Sequence, residues 1–84
     1  MNARRKKTLA MIFQKPTRSD ITWQETVSLL LGIGAVVKEG TGSRVRFKCR
    51  GYSLHVHAPH PRKIVSKGAV DSIRDFLTGL GVIP

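Results

Sequence analysis

The chain predicts an α+β fold: a three-stranded antiparallel sheet with helices on one face, ordered α-β-β-β-α, behind an N-terminal helical extension. Three observations predict it. Residues 42–61, GSRVRFKCRGYSLHVHAPHP, alternate as two strands joined by a tight Arg50-Gly51 connection. Apolar stripes at helical spacing flank them, one from Trp23 to Ile33 and one from Val70 to Leu80. A sheet with one oily face needs cover, and two such helices can supply it. With 84 residues and 40% apolar content, the chain has room for one small domain with one two-layer core.

Taken in order, residues 1–7 read as a frayed basic arm. Leu9, Ile12 and Phe13 then fit one face of a short helix starting at Thr8 and ending near Gln14. Pro16 stops it, because the residue before a proline is pushed out of helical geometry. Thr17 to Ile21 read as a polar connection. These features divide the chain into an arm and short helix, residues 1–22, and a folded domain, residues 23–84. Thr22 with Glu25 three residues on is a capping-box pattern, which starts the next helix. Trp23, Val27, Leu30 and Leu31 share a face of it, with Leu29 and Ile33 at the margin. Trp23 at this spacing reads as a core anchor rather than a stacking platform. Gly32 and Gly34 supply the helix end.

Ala35 to Val37 predict a short first strand and Lys38 to Gly42 a glycine-rich loop. In the hairpin, Val45, Phe47, Cys49, Tyr52, Leu54 and Val56 fall on one face. Arg44, Arg46, Lys48, Ser53, His55 and His57 fall on the other, since successive strand side chains point to opposite sides. Neither Pro59 nor Pro61 can donate to a strand ladder, so pairing ends there and His60 is held in a restrained backbone. Ser66 is a good N-cap for the last helix. Val70, Ile73, Leu77 and Leu80 form its apolar stripe, and Asp71, Arg74 and Asp75 are assigned to its outer side.

Charge narrows the function. Fifteen Lys and Arg face five Asp and Glu, for a formal net charge of +10. Such a balance points to nucleic acid, an anionic membrane or an acidic protein. A membrane binder would concentrate its cations on an amphipathic helix. Here they run from Arg4 to Arg74, with the hairpin as the densest cluster outside the N-terminus, which favours nucleic acid. The apolar run Leu9 to Phe13 falls short of the roughly 7–15 residues of a secretory signal. No stretch approaches the roughly 20 apolar residues of a membrane span, so a cytoplasmic location is expected. The single cysteine, Cys49, lies on the apolar face and reads as a small buried hydrophobe. The element order is shared with double-stranded RNA-binding domains, which read RNA through shape, phosphates and 2′-hydroxyls.

Gly42-Ser43-Arg44-Val45-Arg46-Phe47 and His57-Ala58-Pro59-His60-Pro61-Arg62-Lys63 resemble the HicA family, small toxins of bacterial HicA/HicB toxin–antitoxin pairs. Lys67 to Leu77 looks like that family's closing helix, and the resemblance spans about Trp23 to Val82. It implies a double-stranded-RNA-binding-domain-like fold, metal-independent cleavage of mRNA by an endoribonuclease, and inhibition by a HicB antitoxin protein. The family's catalytic histidine usually follows the Gly-Ser, and here that position is Arg44. Arginine stays protonated, so it can hold a phosphate but cannot take a proton from a 2′-hydroxyl. Either the base has moved to a neighbouring imidazole, or the protein binds RNA without cutting it efficiently.

Metal-free RNA cleavage needs a base, an acid and fixed positive charge on the phosphate, and histidine can serve as either of the first two near neutrality. His57, at the strand end beside Arg44 and Arg46, is the leading catalytic candidate, and His60 is the second. Ser43, Arg44, Arg46, Lys48, His55, Arg62 and Lys63 are the RNA-binding candidates. No metal or other cofactor is expected, because the surrounding cations would repel a divalent ion. Two alternatives stay open: a non-catalytic RNA-binding module of the same fold, and a protein-interaction component whose basic face meets an acidic partner.

Overall fold

The computed structural model describes residues 1–59 and 63–84. Its elements are α1 (Ala3–Ile12), α2 (Trp23–Gly32), β1 (Val36–Glu39), β2 (Arg44–Cys49), β3 (Tyr52–His57) and α3 (Lys67–Gly79). The strands form one antiparallel sheet in the order β1-β2-β3. After α1, the order is the expected α-β-β-β-α.

Alternation sorts the hairpin as expected. Val45, Phe47 and Cys49 of β2 and Leu54 and Val56 of β3 are buried, in one core with Leu29, Leu30, Val70, Ile73 and Leu77 from the helices. Phe47 is completely buried and meets Trp23 edge-on, ring centroids 6.0 Å apart. Removing such a ring typically costs about 3–5 kcal/mol. Tyr52 shares this face but is 50% exposed, its ring lying beside Gly79 at the end of α3. Cys49 is buried, its thiol directed to the Ile33 carbonyl. Both local start signals hold. The Thr22 hydroxyl accepts from the Glu25 N–H while the Glu25 carboxylate accepts from the Thr22 N–H, and the Ser66 hydroxyl accepts from the Ala69 N–H.

Several expectations need correction. The basic arm is helical: α1 begins at Ala3, capped by the Asn2 side chain, which accepts from the Arg5 N–H at 2.8 Å. Arg5 donates to Ser28 Oγ, and its stem lies so close to Gly32 that an added Cβ there would be 2.8 Å away. Leu9, Met11 and Ile12 enter the same core, so the extension is bound by burial as well as by this contact. On α2 the inward face is Thr26, Leu29 and Leu30, whereas Leu31 is 47% exposed. Thr26 concealed that face because threonine reads as polar; its hydroxyl is satisfied by the Thr22 carbonyl. Ile21, assigned to a polar connection, is fully buried, and its carbonyl accepts from the Val65 N–H. β1 lies one residue later than predicted and takes in Lys38 and Glu39. Arg74, assigned to the outside of α3, turns toward α1 and donates to the carbonyl of Ile12 at 2.9 Å.

Candidate functional site

The sheet face away from the helices carries a cluster of cations, Lys38, Arg44, Arg46 and Lys48. Both central residues of the β2–β3 turn, Arg50 and Gly51, have positive φ (47° and 84°), as a two-residue primed hairpin turn requires. Cys49 therefore faces Tyr52, and the register runs Lys48↔Ser53, Arg46↔His55 and Arg44↔His57. Directly opposed residues share a face and lie roughly 4.5–5.5 Å apart at Cβ. Each imidazole is thus paired across the ladder with a guanidinium. β1 extends one row, because Lys38 pairs with Arg46. Lys38, Arg46 and His55 stand in line, with Arg44 and His57 in the next row.

A shallow depression of about 540 Å³ opens over these two rows, lined by Lys38, Glu39, Gly40, Arg44, Arg46, His55 and His57. The strand-end loop closes one side of it. The Ser43 carbonyl accepts from the Ala58 N–H at 2.8 Å, which ties the loop to the end of β3. Ser43 Oγ then sits 3.0 Å from His57 Nδ1. The contact orients the ring through Nδ1: with Nδ1–H donating to Ser43 Oγ, Nε2 is the acceptor that a base requires, and with the hydroxyl donating to Nδ1, Nε2 carries the proton and is a donor. Among the described residues, ion pairs join Arg18 to Asp20 and Arg74 to Asp71, both off this face. The side chains of Lys38, Arg44, Arg46 and Lys48 have no such partner among the described residues. Cations gathered in a concave site without partners raise the local potential and concentrate anions there.

The structure brings Ser43, Arg44, Arg46, His55 and His57 together. Lys48 shares the face but lies one row further from His57, outside the depression. Lys63 lines a separate depression beyond Ser43, with Trp23 and Gln24. His60 and Arg62 lie outside the described residues. Lys38 is the residue that sequence reasoning missed. No local signal marked it: Val36–Glu39 reads VVKE without apolar-polar alternation, and all four residues are exposed. No helix among the described residues is long and apolar enough to cross a membrane.

Helices on one face of a three-stranded antiparallel sheet and cations on the other define a small α+β domain of the double-stranded-RNA-binding-like class. The chain belongs to the HicA family: the model described as HicA toxin of bacterial toxin-antitoxin matches residues 23–81, well over half of its length. It is therefore a toxin-type component of a toxin–antitoxin system, a class that works with an antitoxin partner. No curated protein and no solved structure gives a match to this chain.

Proposed function

We propose that this protein is a metal-independent endoribonuclease that cleaves mRNA, inhibits translation, and is restrained by a HicB-type antitoxin. One observation carries the reading: His57, oriented by Ser43 at 3.0 Å, stands directly across the ladder from Arg44, the position where the family keeps its histidine. An imidazole therefore borders the vacated catalytic position, and Arg44 and Arg46 supply the phosphate charge. In the proposed step, His57 takes the proton of a 2′-hydroxyl, whose oxygen attacks the adjacent phosphorus. The bond to the 5′-oxygen breaks, leaving a 2′,3′-cyclic phosphate and a 5′-hydroxyl. His60 is the proposed proton donor to that leaving oxygen, with Arg62, Lys48 and His55 holding flanking phosphates. Residues 23–84 are the proposed working unit, carrying residues 1–22 as an added segment. The antitoxin would cover the basic face with acidic groups that compete with phosphate.

Incubating 5′-labelled RNA with wild type and His57→Ala in EDTA tests this. Cleavage by wild type that is lost in the variant is expected; equal products from both would overturn the role of His57. Arg44 itself favours a second reading, RNA binding without cleavage. Steeply salt-dependent binding with intact RNA would select it.

A further inference from the structure

Beside the His57 depression lies a second one of about 740 Å³, within the roughly 300–1,000 Å³ range of small-ligand sites. Thr22, Trp23, Gln24, Ser43, Pro59 and Lys63 line it. We propose that this is a nucleobase site, which receives an unstacked base next to the scissile phosphate and so restricts the substrate to single-stranded RNA. The proposal rests on the RNA-cleaving reading of the neighbouring site.

Ser43 is common to both places. It lines this depression and holds His57 on its other side, so a nucleotide seated here has its phosphate at the edge of the His57 site. The lining also has the right chemistry. Trp23 and Pro59 offer flat apolar surface, on which any base can stack. The Thr22 hydroxyl is committed to Glu25, but the Gln24 amide projects from the exposed side of α2. An amide presents donors and an acceptor together, which suits the edge of an unpaired base. Lys63 adds a cation.

The side of the wall that carries Trp23 is also assembled in advance. The Trp23 N–H donates to the Lys63 carbonyl at 2.9 Å, Ile64 bridges to Thr22, and the Val65 N–H donates to the Ile21 carbonyl at 2.8 Å. Trp23 is braced from behind by Phe47, yet it is only half-buried. A rigid, partly exposed indole costs little further ordering when a base arrives. A base inside a duplex stays stacked and paired and cannot enter.

Trp23 is the chain's one tryptophan, so its emission reports on this site alone. The experiment titrates short 2′-O-methyl RNA, which lacks the attacking hydroxyl, and follows Trp23 emission together with the anisotropy of a labelled strand. A saturable emission change should track anisotropy for single strands and fail for a duplex of the same sequence. Gln24→Ala, at an exposed position that leaves the fold intact, should weaken single-strand binding roughly three- to tenfold and narrow the spread among the four homopolymers. Binding by anisotropy with unmoved emission, or equal responses to single strand and duplex, overturns the nucleobase site while the ribonuclease reading stands. An unchanged homopolymer spread in Gln24→Ala removes Gln24 and the reading role with it. No binding of either RNA at low salt overturns both readings.

Discussion

Arg74 on α3 and Arg46 on β2 carry the same side chain in opposite surroundings. Arg74 donates to the Ile12 carbonyl at 2.9 Å, to Asp71 at 2.9 Å and to Thr17 Oγ1 at 3.2 Å, and its side chain is 12% exposed. It stitches α1 and the following segment to α3. Arg46 stands between Lys38 and His55 on the open sheet face, with no carboxylate or carbonyl partner among the described residues. The chain's fifteen Lys and Arg therefore include two contrasting kinds. Arg74, in the α1–α3 seam, is neutralised by Asp71 and holds the fold. Those on the sheet are held close together by the fold with no ion pair among the described residues, and an anion from outside relieves their mutual repulsion.

That contrast breaks if function and stability fail to separate. The largest expected effect is at His57: His57→Ala should lower cleavage by roughly 10²- to 10⁴-fold, as loss of a general acid–base group does. Its thermal midpoint should match wild type. Arg74→Met is the converse. Losing a hydrogen-bonded guanidinium should destabilise the fold by about 2–3 kcal/mol in urea titrations, with the RNA affinity of the folded protein unchanged. Smaller again, Arg46→Ala and Lys38→Ala should each lower the slope of log affinity against log salt by about one, without loss of stability. An unchanged slope for Lys38→Ala would remove β1 from the interface.

The smallest effect sharpens the seam. A hydrogen bond from the Thr17 hydroxyl, and then the Arg74 guanidinium, hold the Asp71 carboxyl below its ordinary value of 3.8. A carboxyl depressed in the folded state contributes stability above its unfolded pKa and loses it as pH falls through the folded one. Wild type should therefore lose seam stability below about pH 4, and Asp71→Asn should flatten that part of the acid limb. Comparing urea midpoints at pH 7 and pH 3 reads the difference.

Much of the candidate site was legible because its signals are local. Two-residue alternation identified Arg44, Arg46, Lys48, His55 and His57, and the tight Arg50-Gly51 turn carries the register that opposes Arg44 and His57. Lys38 was not legible as a site residue, because the β1–β2 pairing depends on a longer connection whose length does not dictate register. Trp23 was legible as a core anchor against Phe47, but its second surface was not. Depressions form between elements, and helical spacing describes one element at a time.

By itself the sequence determined the features that neighbours along the chain create: the two-faced hairpin, the Thr22–Glu25 capping box and the Ser66 cap. Tertiary structure decided what distant residues share. It turned the basic N-terminal residues into a helix by docking Leu9, Met11 and Ile12 into the core and laying Arg5 over Gly32. It drew Arg74 inward to the Ile12 carbonyl, 62 residues away in sequence, and set Ser43 against His57, 14 residues away. Periodicity and caps depend on backbone geometry within a few residues. These contacts depend on where one element lands on another, and only the packed core sets that.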